Sequence, residues 1–179
     1  MGFPVILQVV GYQNSGKTTV ITKLLKQLSQ QRIKTAVIKH HGHEDTLDIQ
    51  DSGKDTESHR NAGAFITGIS SSGGTVFSMN HEMPLEKAID IYKVLDIECV
   101  LIEGYKKIQY PRVLLCRNQS DSDLIIKSSE PVALISKEKL AADSSFPYFL
   151  RTEEDKWLKF LMDYIASRVN EERAYHETV

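Results

Sequence analysis

The sequence predicts an α/β fold, a mostly parallel central sheet flanked by helices, and three observations predict it. Short apolar runs bounded by Gly or Pro alternate with segments of helical period. The first such run is followed by a helix and then a second run, an order that calls for a parallel crossover. Two of the runs end in glycine-bearing segments rich in polar and charged groups, Gly11 onward and Glu103-Gly104.

Val5, Ile6, Leu7, Val9 and Val10 lie between Pro4 and Gly11 and form a nearly continuous apolar run. Such a run suits a strand buried on both faces of a sheet. After Gly16, Val20, Ile21, Leu24, Leu25 and Leu28 recur at helical spacing with Lys23, Lys26 and Gln27 opposite, which predicts a helix of about four turns. Thr35 to Ile38 reads as the next strand and closes a right-handed crossover unit.

His40 to Lys54 is polar and aperiodic, so it is expected to be an exposed loop of a length that is often functional. Asp55 can cap a short helix running through Gly63; Ala64 to Ile69 and Thr75 to Met79 read as strands about a Gly73-Gly74 turn. Pro84 opens a helix whose Leu85, Ala88, Ile89 and Tyr92 share one face. Cys99 to Ile102, Val113 to Cys116 and Val132 to Ile135 are further strands. A last helix spans Trp157 to Val169, with Leu158, Leu161 and Ile165 on its apolar side, and the charged tail beyond it is expected to fray.

A chain of 179 residues, 41% hydrophobic and 26% charged, fits one domain covering 1–179. Its net charge of −2 supplies no general basic field, which argues against nucleic-acid and acidic-membrane partners. Any anion must be bound locally. Cys99 and Cys116 sit in apolar runs without the spacing of a metal or redox motif, and read as buried reduced thiols. The run from Val5 to Val10 is too short for a signal peptide or membrane span, and Ile6 stands where N-myristoylation wants Ser or Thr. A cytoplasmic protein is expected.

The most specific pattern is Gly11-x-x-x-x-Gly16-Lys17-Thr18. A random chain of this length contains it roughly once in a few hundred sequences. Here it lies between a buried strand and an amphipathic helix, where backbone N–H groups converge on a phosphate chain. The two glycines allow close approach, Lys17 puts a cation on the outer phosphates, and the Thr18 hydroxyl is expected to ligate Mg²⁺. The fold is therefore expected to be that of a P-loop NTPase, binding a purine nucleoside triphosphate with magnesium.

Glu103 closes the Val100-Leu101-Ile102 run at the strand end where open α/β sheets bind ligands. Two readings stand: a carboxylate for the Mg²⁺ shell or for orienting water, with Gly104 leaving space for the γ-phosphate, or a solvated strand end. Lys106, Lys107 and Arg112 are either a second anion site or a solvated basic loop. His40, His41 and His43 with Glu44, Asp45 and Asp48 match no zinc spacing; Asp48 as a ligand of Mg²⁺ or phosphate and an ordinary polar loop are both open. In Gly53 to Ala64, Lys54, Asp55, Thr56, His59 and Arg60 stand together, and the plain alternative is a capped helix with solvated neighbours.

In this order, GYQNSGKTT, IKHHGH with Asp48, GKDTESHRNAGA and VLIEGYKK resemble the molybdopterin-guanine dinucleotide biosynthesis protein B (MobB) family over roughly residues 5 to 117. The resemblance implies a homodimer that binds GTP with Mg²⁺, hydrolyses it slowly, and helps the guanylyltransferase MobA attach GMP to the molybdopterin cofactor. It implies that Gly11, Gln13, Asn14, Ser15, Gly16, Lys17, Thr18 and Thr19 hold the phosphates. Asp48 and Glu103 would act in catalysis near Mg²⁺, alongside Lys17. Lys54, Asp55, Thr56, Arg60 and Lys106 would serve a second anion or the cofactor in the same cleft. Asp51-Ser52 replace the Lys-Pro that often precedes Gly-Lys in the family, and no Asn-Lys-x-Asp guanine motif is present, so Ser136 and Lys137 stand in as candidates for the base contact. A small-molecule kinase and a non-catalytic nucleotide-sensing scaffold are the competing functions; scattered arginines argue against the kinase's lid.

Overall fold

The computed structural model of the chain describes residues 3–40, 55–105, 107–129, 131–141 and 145–177. Contacts divide the chain into two compact units, Met1–His41 with Ile89–Val179, and Gly42–Ala88.

The first unit is built on a six-stranded sheet with the order β2-β5-β1-β6-β7-β8. Its strands are β1 (Val5–Gly11), β2 (Thr35–Lys39), β5 (Cys99–Glu103), β6 (Arg112–Cys116), β7 (Pro131–Ser136) and β8 (Tyr148–Leu150). Every neighbouring pair is parallel. The expected P-loop type of architecture is thus present, and β5 lies between β1 and β2. All residues of β5 and β6 are buried, which is why Cys99 to Ile102 and Val113 to Cys116 read as unbroken apolar runs.

Alternation along the strands sorts side chains onto the two faces. Val5, Leu7 and Val9 with Leu101, Val113, Leu115 and Ile135 join Leu24 and Leu28 of helix α1 (Lys17–Gln30) and Trp157, Leu161 and Ile165 of helix α5 (Glu154–Glu177) in one core. Each fully buried aliphatic side chain among them contributes about 2 kcal/mol. On the other face Val10, Leu114, Cys116 and Leu134 pack with Leu140 and with Leu124 of α4 (Asp123–Ile126). Cys99 and Cys116 are free and buried, and burial pushes their thiols up to about 12 and about 11.

Three short elements gave no sequence signal, and one expectation needs correction. β8 follows Pro147 and is only three residues long, too short to show a period. The turn at Gln119–Asp121 and helix α4 are likewise short, held by side-chain bonds rather than by a repeat. The charged tail does not fray after Val169: α5 continues to Glu177, and Arg173 reaches back to Glu98 at 2.6 Å.

The second unit contains α2 (Asp55–Asn61) and an antiparallel hairpin of β3 (Ile66–Ser71) and β4 (Gly74–Met79), so these two strands do not enter the central sheet. Gly74, at φ 144°, lets the chain turn between them. Arg60 is buried and donates to Thr67 Oγ1 at 2.9 Å, tying α2 to β3. Helix α3 (Leu85–Val94) follows the hairpin.

Candidate functional site

β1 delivers Gly11 to the carboxyl edge of the sheet between β5 and β6, and the loop that follows runs into α1. A β-carbon at Gly11 would lie 2.8 Å from the Leu115 carbonyl oxygen, so nothing larger fits. Gly16 has φ 88° and stands as the N-cap of α1 with no side-chain cap. Asn14, at φ 59°, is one of the few residue types that tolerate the left-handed region. Uncapped first-turn N–H groups are an anion-binding device. Lys17 adds to it: its Nζ donates to Gly11 O at 3.1 Å and Tyr12 O at 3.0 Å, which draws the ammonium over the loop. Ser15 is fully buried, and its hydroxyl has no hydrogen-bond partner among the described residues.

Glu103 sits beside this loop because β5 pairs with both neighbours there, Val9 on β1 and Lys39 on β2. Its carboxylate oxygens lie 3.4 and 3.5 Å from Thr18 Oγ1, and Lys39 Nζ is 3.8 Å away. Glu103 is only 7% exposed, which disfavours the solvated-end reading. A hydroxyl and a carboxylate from two elements, side by side, form the hard oxygen set that Mg²⁺ prefers. The residues fit that ion.

Gln8 interrupts the apolar run of β1. It is fully buried, its Nε2 donates to Gly104 O at 2.7 Å and Tyr105 O at 2.9 Å, and its Oε1 accepts from Tyr110 N at 3.3 Å. Arg112 is buried as well and donates to Tyr110 O and Ile108 O, each at 3.1 Å. It braces the segment after Glu103, neither solvated nor turned outward toward a second anion.

The outer side of the loop is held by a polar cluster. Tyr12 donates its hydroxyl to Asp123 Oδ2 at 2.7 Å, and the Arg117 guanidinium lies 5.7 Å from the Tyr12 ring centre. Arg117 donates through its backbone N, Nε and Nη2 to Asp121 at 2.8, 2.9 and 2.7 Å. Those bonds hold the buried Asp121 carboxyl below its ordinary pKa. Hydrogen bonds from Tyr12 and Lys127 do the same for Asp123, and the Tyr12 phenol is raised in return. Ser136 is fully buried and engaged with Glu138 O at 2.6 Å and Tyr148 Oη at 2.9 Å, so its hydroxyl faces inward; Lys137 beside it is exposed.

Gly11, Gln13, Asn14, Ser15, Gly16, Lys17, Thr18, Thr19 and Glu103 therefore come together in the first unit. Asp55, Thr56 and Arg60 lie on α2 in the second. Asp48, Lys54 and Lys106, with His41, His43, Glu44 and Asp45, lie outside the described residues. Among the described residues no group of three His, Cys, Asp or Glu side chains could hold a metal, and no helix is long and apolar enough to cross a membrane. One participant had no sequence signal at all: Arg151, 136 residues beyond Ser15, donates Nη2 to the Ser15 carbonyl oxygen.

The chain is similar in sequence and fold to known proteins. The family model described as "Molybdopterin guanine dinucleotide synthesis protein B" matches residues 6–137. The "Probable molybdopterin-guanine dinucleotide biosynthesis adapter protein" of Bacillus subtilis (strain 168) is 32% identical over 174 residues, 96% of each chain. The crystal structure of Bacillus subtilis MobB, at 30% identity, matches with a TM-score of 0.75 over 89% of this chain and 96% of that one. A MobB homologue from Bacillus stearothermophilus matches with a TM-score of 0.74 at 25% identity, over 90% of this chain and 98% of the other.

Proposed function

The chain belongs to the molybdopterin guanine dinucleotide synthesis protein B family, and on that premise we propose that it is a GTP-binding adapter of molybdopterin guanine dinucleotide biosynthesis. It binds GTP with Mg²⁺ in the loop from Gly11 to Thr19, hydrolyses it slowly, and assists a guanylyltransferase partner in attaching GMP to molybdopterin. The observation that carries this reading is the convergence of Lys17, the uncapped start of α1 and the Thr18–Glu103 pair at 3.4 Å on one point of the sheet edge.

The loop N–H groups and Lys17 take the phosphate oxygens. Thr18 and Glu103 hold the metal's shell. Bound there, Mg²⁺ neutralises charge on the outer phosphates. Glu103 and Asp48 are the candidates for orienting water. Lys54, Asp55, Thr56, Arg60 and Lys106 are proposed for a second anion or for the cofactor.

Efficient hydrolysis also needs a cation on the transition state, worth roughly three to five orders of magnitude when a partner supplies it. We expect well below one turnover per second for the isolated chain. Assembly as a homodimer is supported by the apolar side chains that the hairpin exposes, Phe65, Ile69, Val76 and Phe77. The protein is proposed to act in the cytoplasm.

Titration of the purified chain with GTP and with ATP, each with Mg²⁺, tests the nucleotide. Phosphate release and nucleotide transfer are then followed with and without molybdopterin and the transferase. Tighter GTP binding and partner-dependent turnover are expected. Equal or tighter ATP binding would favour a kinase, and nucleotide binding without turnover at any partner concentration a sensing scaffold.

A further inference from the structure

Arg151 is aimed by a turn that leaves its backbone little freedom. Its N–H donates to Ser136 O at 2.7 Å at the end of β7, and its carbonyl accepts from the indole of Trp157 at 3.3 Å, a ring that is 1% exposed. Glu153 closes the turn, accepting from Leu150 N at 2.9 Å while its own N–H donates to Leu150 O at 2.9 Å. The side chain leaves this anchor for the loop after β1, where Nη2 meets Ser15 O and Cζ would lie 2.9 Å from a β-carbon at Gly16.

This guanidinium is partly buried and has no acid partner among the described residues. Its Nε is buried without a hydrogen bond among the described residues. The two acids nearest in sequence are turned to lysines: Glu153 pairs with Lys156 at 2.8 Å, and Glu154 with Lys23. Burial accordingly lowers the pKa of Arg151. A desolvated cation without an anion is costly, and a fold that nevertheless places one against a phosphate-binding loop leaves the anion to be supplied by the ligand. The planar fork of donors suits phosphate oxygens better than any other side chain.

We propose that Arg151 is a phosphate-binding residue of the nucleotide site, a cation delivered from the carboxyl-terminal third to the loop that carries Lys17. The proposal rests on the nucleotide reading of that loop and adds a ligand-contacting residue to it. Two cations then face the polyphosphate, Lys17 from the helix start and Arg151 from the turn after β8.

The test compares the unsubstituted chain with Arg151→Gln, Arg151→Lys and Lys17→Ala in calorimetric titrations with GTP and with guanosine, at two salt concentrations. Gln removes the charge and, being two bonds shorter, also the donor to Ser15 O, so guanosine, which needs the shape of the loop but offers no phosphate, is the control for a lost brace. Arg151→Gln is expected to weaken GTP binding about 10- to 100-fold, the range of a charge-assisted hydrogen bond, and to flatten its salt dependence. Guanosine binding should change less than threefold, and Arg151→Lys should recover part of the loss. Unchanged GTP affinity in Arg151→Gln overturns the proposal and leaves a structural brace. Equal weakening for guanosine also overturns it, since the loss would then be that of a brace. If the unsubstituted chain binds no GTP, the reading of the loop itself fails, which the Lys17→Ala control separates from failure at Arg151 alone.

Discussion

Replacing Gln8 by methionine tests whether one buried amide positions the segment that follows Glu103. Methionine matches glutamine in length and leaves no cavity, so the change removes hydrogen bonds and little else. Three are lost, to Gly104 O, Tyr105 O and from Tyr110 N, at 2.7, 2.9 and 3.3 Å. Each neutral bond is worth about 1 kcal/mol net, and greater apolar burial returns about 1 kcal/mol, so a loss of about 2 kcal/mol is expected. For a chain of 179 residues that corresponds to a melting temperature lower by roughly 4–8 °C. The functional consequence follows from adjacency: once Gly104 is released, Glu103 is less well held 3.4 Å from Thr18 Oγ1. GTP affinity in the presence of Mg²⁺ should therefore fall several-fold, and affinity without the ion should fall less. Thermal unfolding and nucleotide titration of Gln8→Met measure both. A melting temperature within 1 °C of the original, with unchanged Mg²⁺-dependent affinity, would refute the positioning argument.

Lys17→Ala should melt like the original without ligand yet lose the stabilisation that GTP confers, about 2.7 kcal/mol at a hundred times the dissociation constant; retained stabilisation would sink the phosphate role of Lys17. Glu103→Ala should lower single-turnover hydrolysis more than GTP affinity, because its proposed contribution is greatest in the transition state; a loss of affinity at an unchanged saturated rate would leave it a ground-state ligand. Asp121 has its folded pKa depressed chiefly by hydrogen bonds from Arg117, so the stability it contributes is complete above the ordinary carboxylate range and is lost as pH falls through the lowered value. Urea unfolding of Asp121→Asn at several pH values should accordingly show a shallower acid loss below about pH 4 than the original. Cys99 and Cys116, with thiols raised to about 12 and about 11, should resist iodoacetamide at pH 8 until the chain is unfolded; rapid labelling of native protein would contradict their burial.

Local, contiguous features were legible in the residues alone. The loop from Gly11 to Thr18 was legible because backbone angles, cation and hydroxyl all lie within eight residues between a buried strand and an amphipathic helix. β1, β5 and β6 were legible because strands buried on both faces are nearly continuous in apolar residues, and Glu103 because it stands at the end of such a strand. The MobB family was legible from the order of its motifs.

Tertiary structure decided everything that depends on which distant segments meet. Residue pattern does not say that β5 inserts between β1 and β2, yet that insertion alone sets Glu103 beside Thr18. Nor does it say that β3 and β4 leave the sheet and form a hairpin in which Thr67 accepts from Arg60, a residue expected at an anion. Gln8 was visible as a polar residue in an apolar run, but its three partners lie about a hundred positions away. Arg151 follows a three-residue strand that has no period to detect, and it reaches Ser15 only because β8 pairs beside β7 and Trp157 locks the turn. Short-range order is written in neighbouring residues, whereas a charge without an acid partner acquires meaning only when folding brings it to the loop that binds an anion.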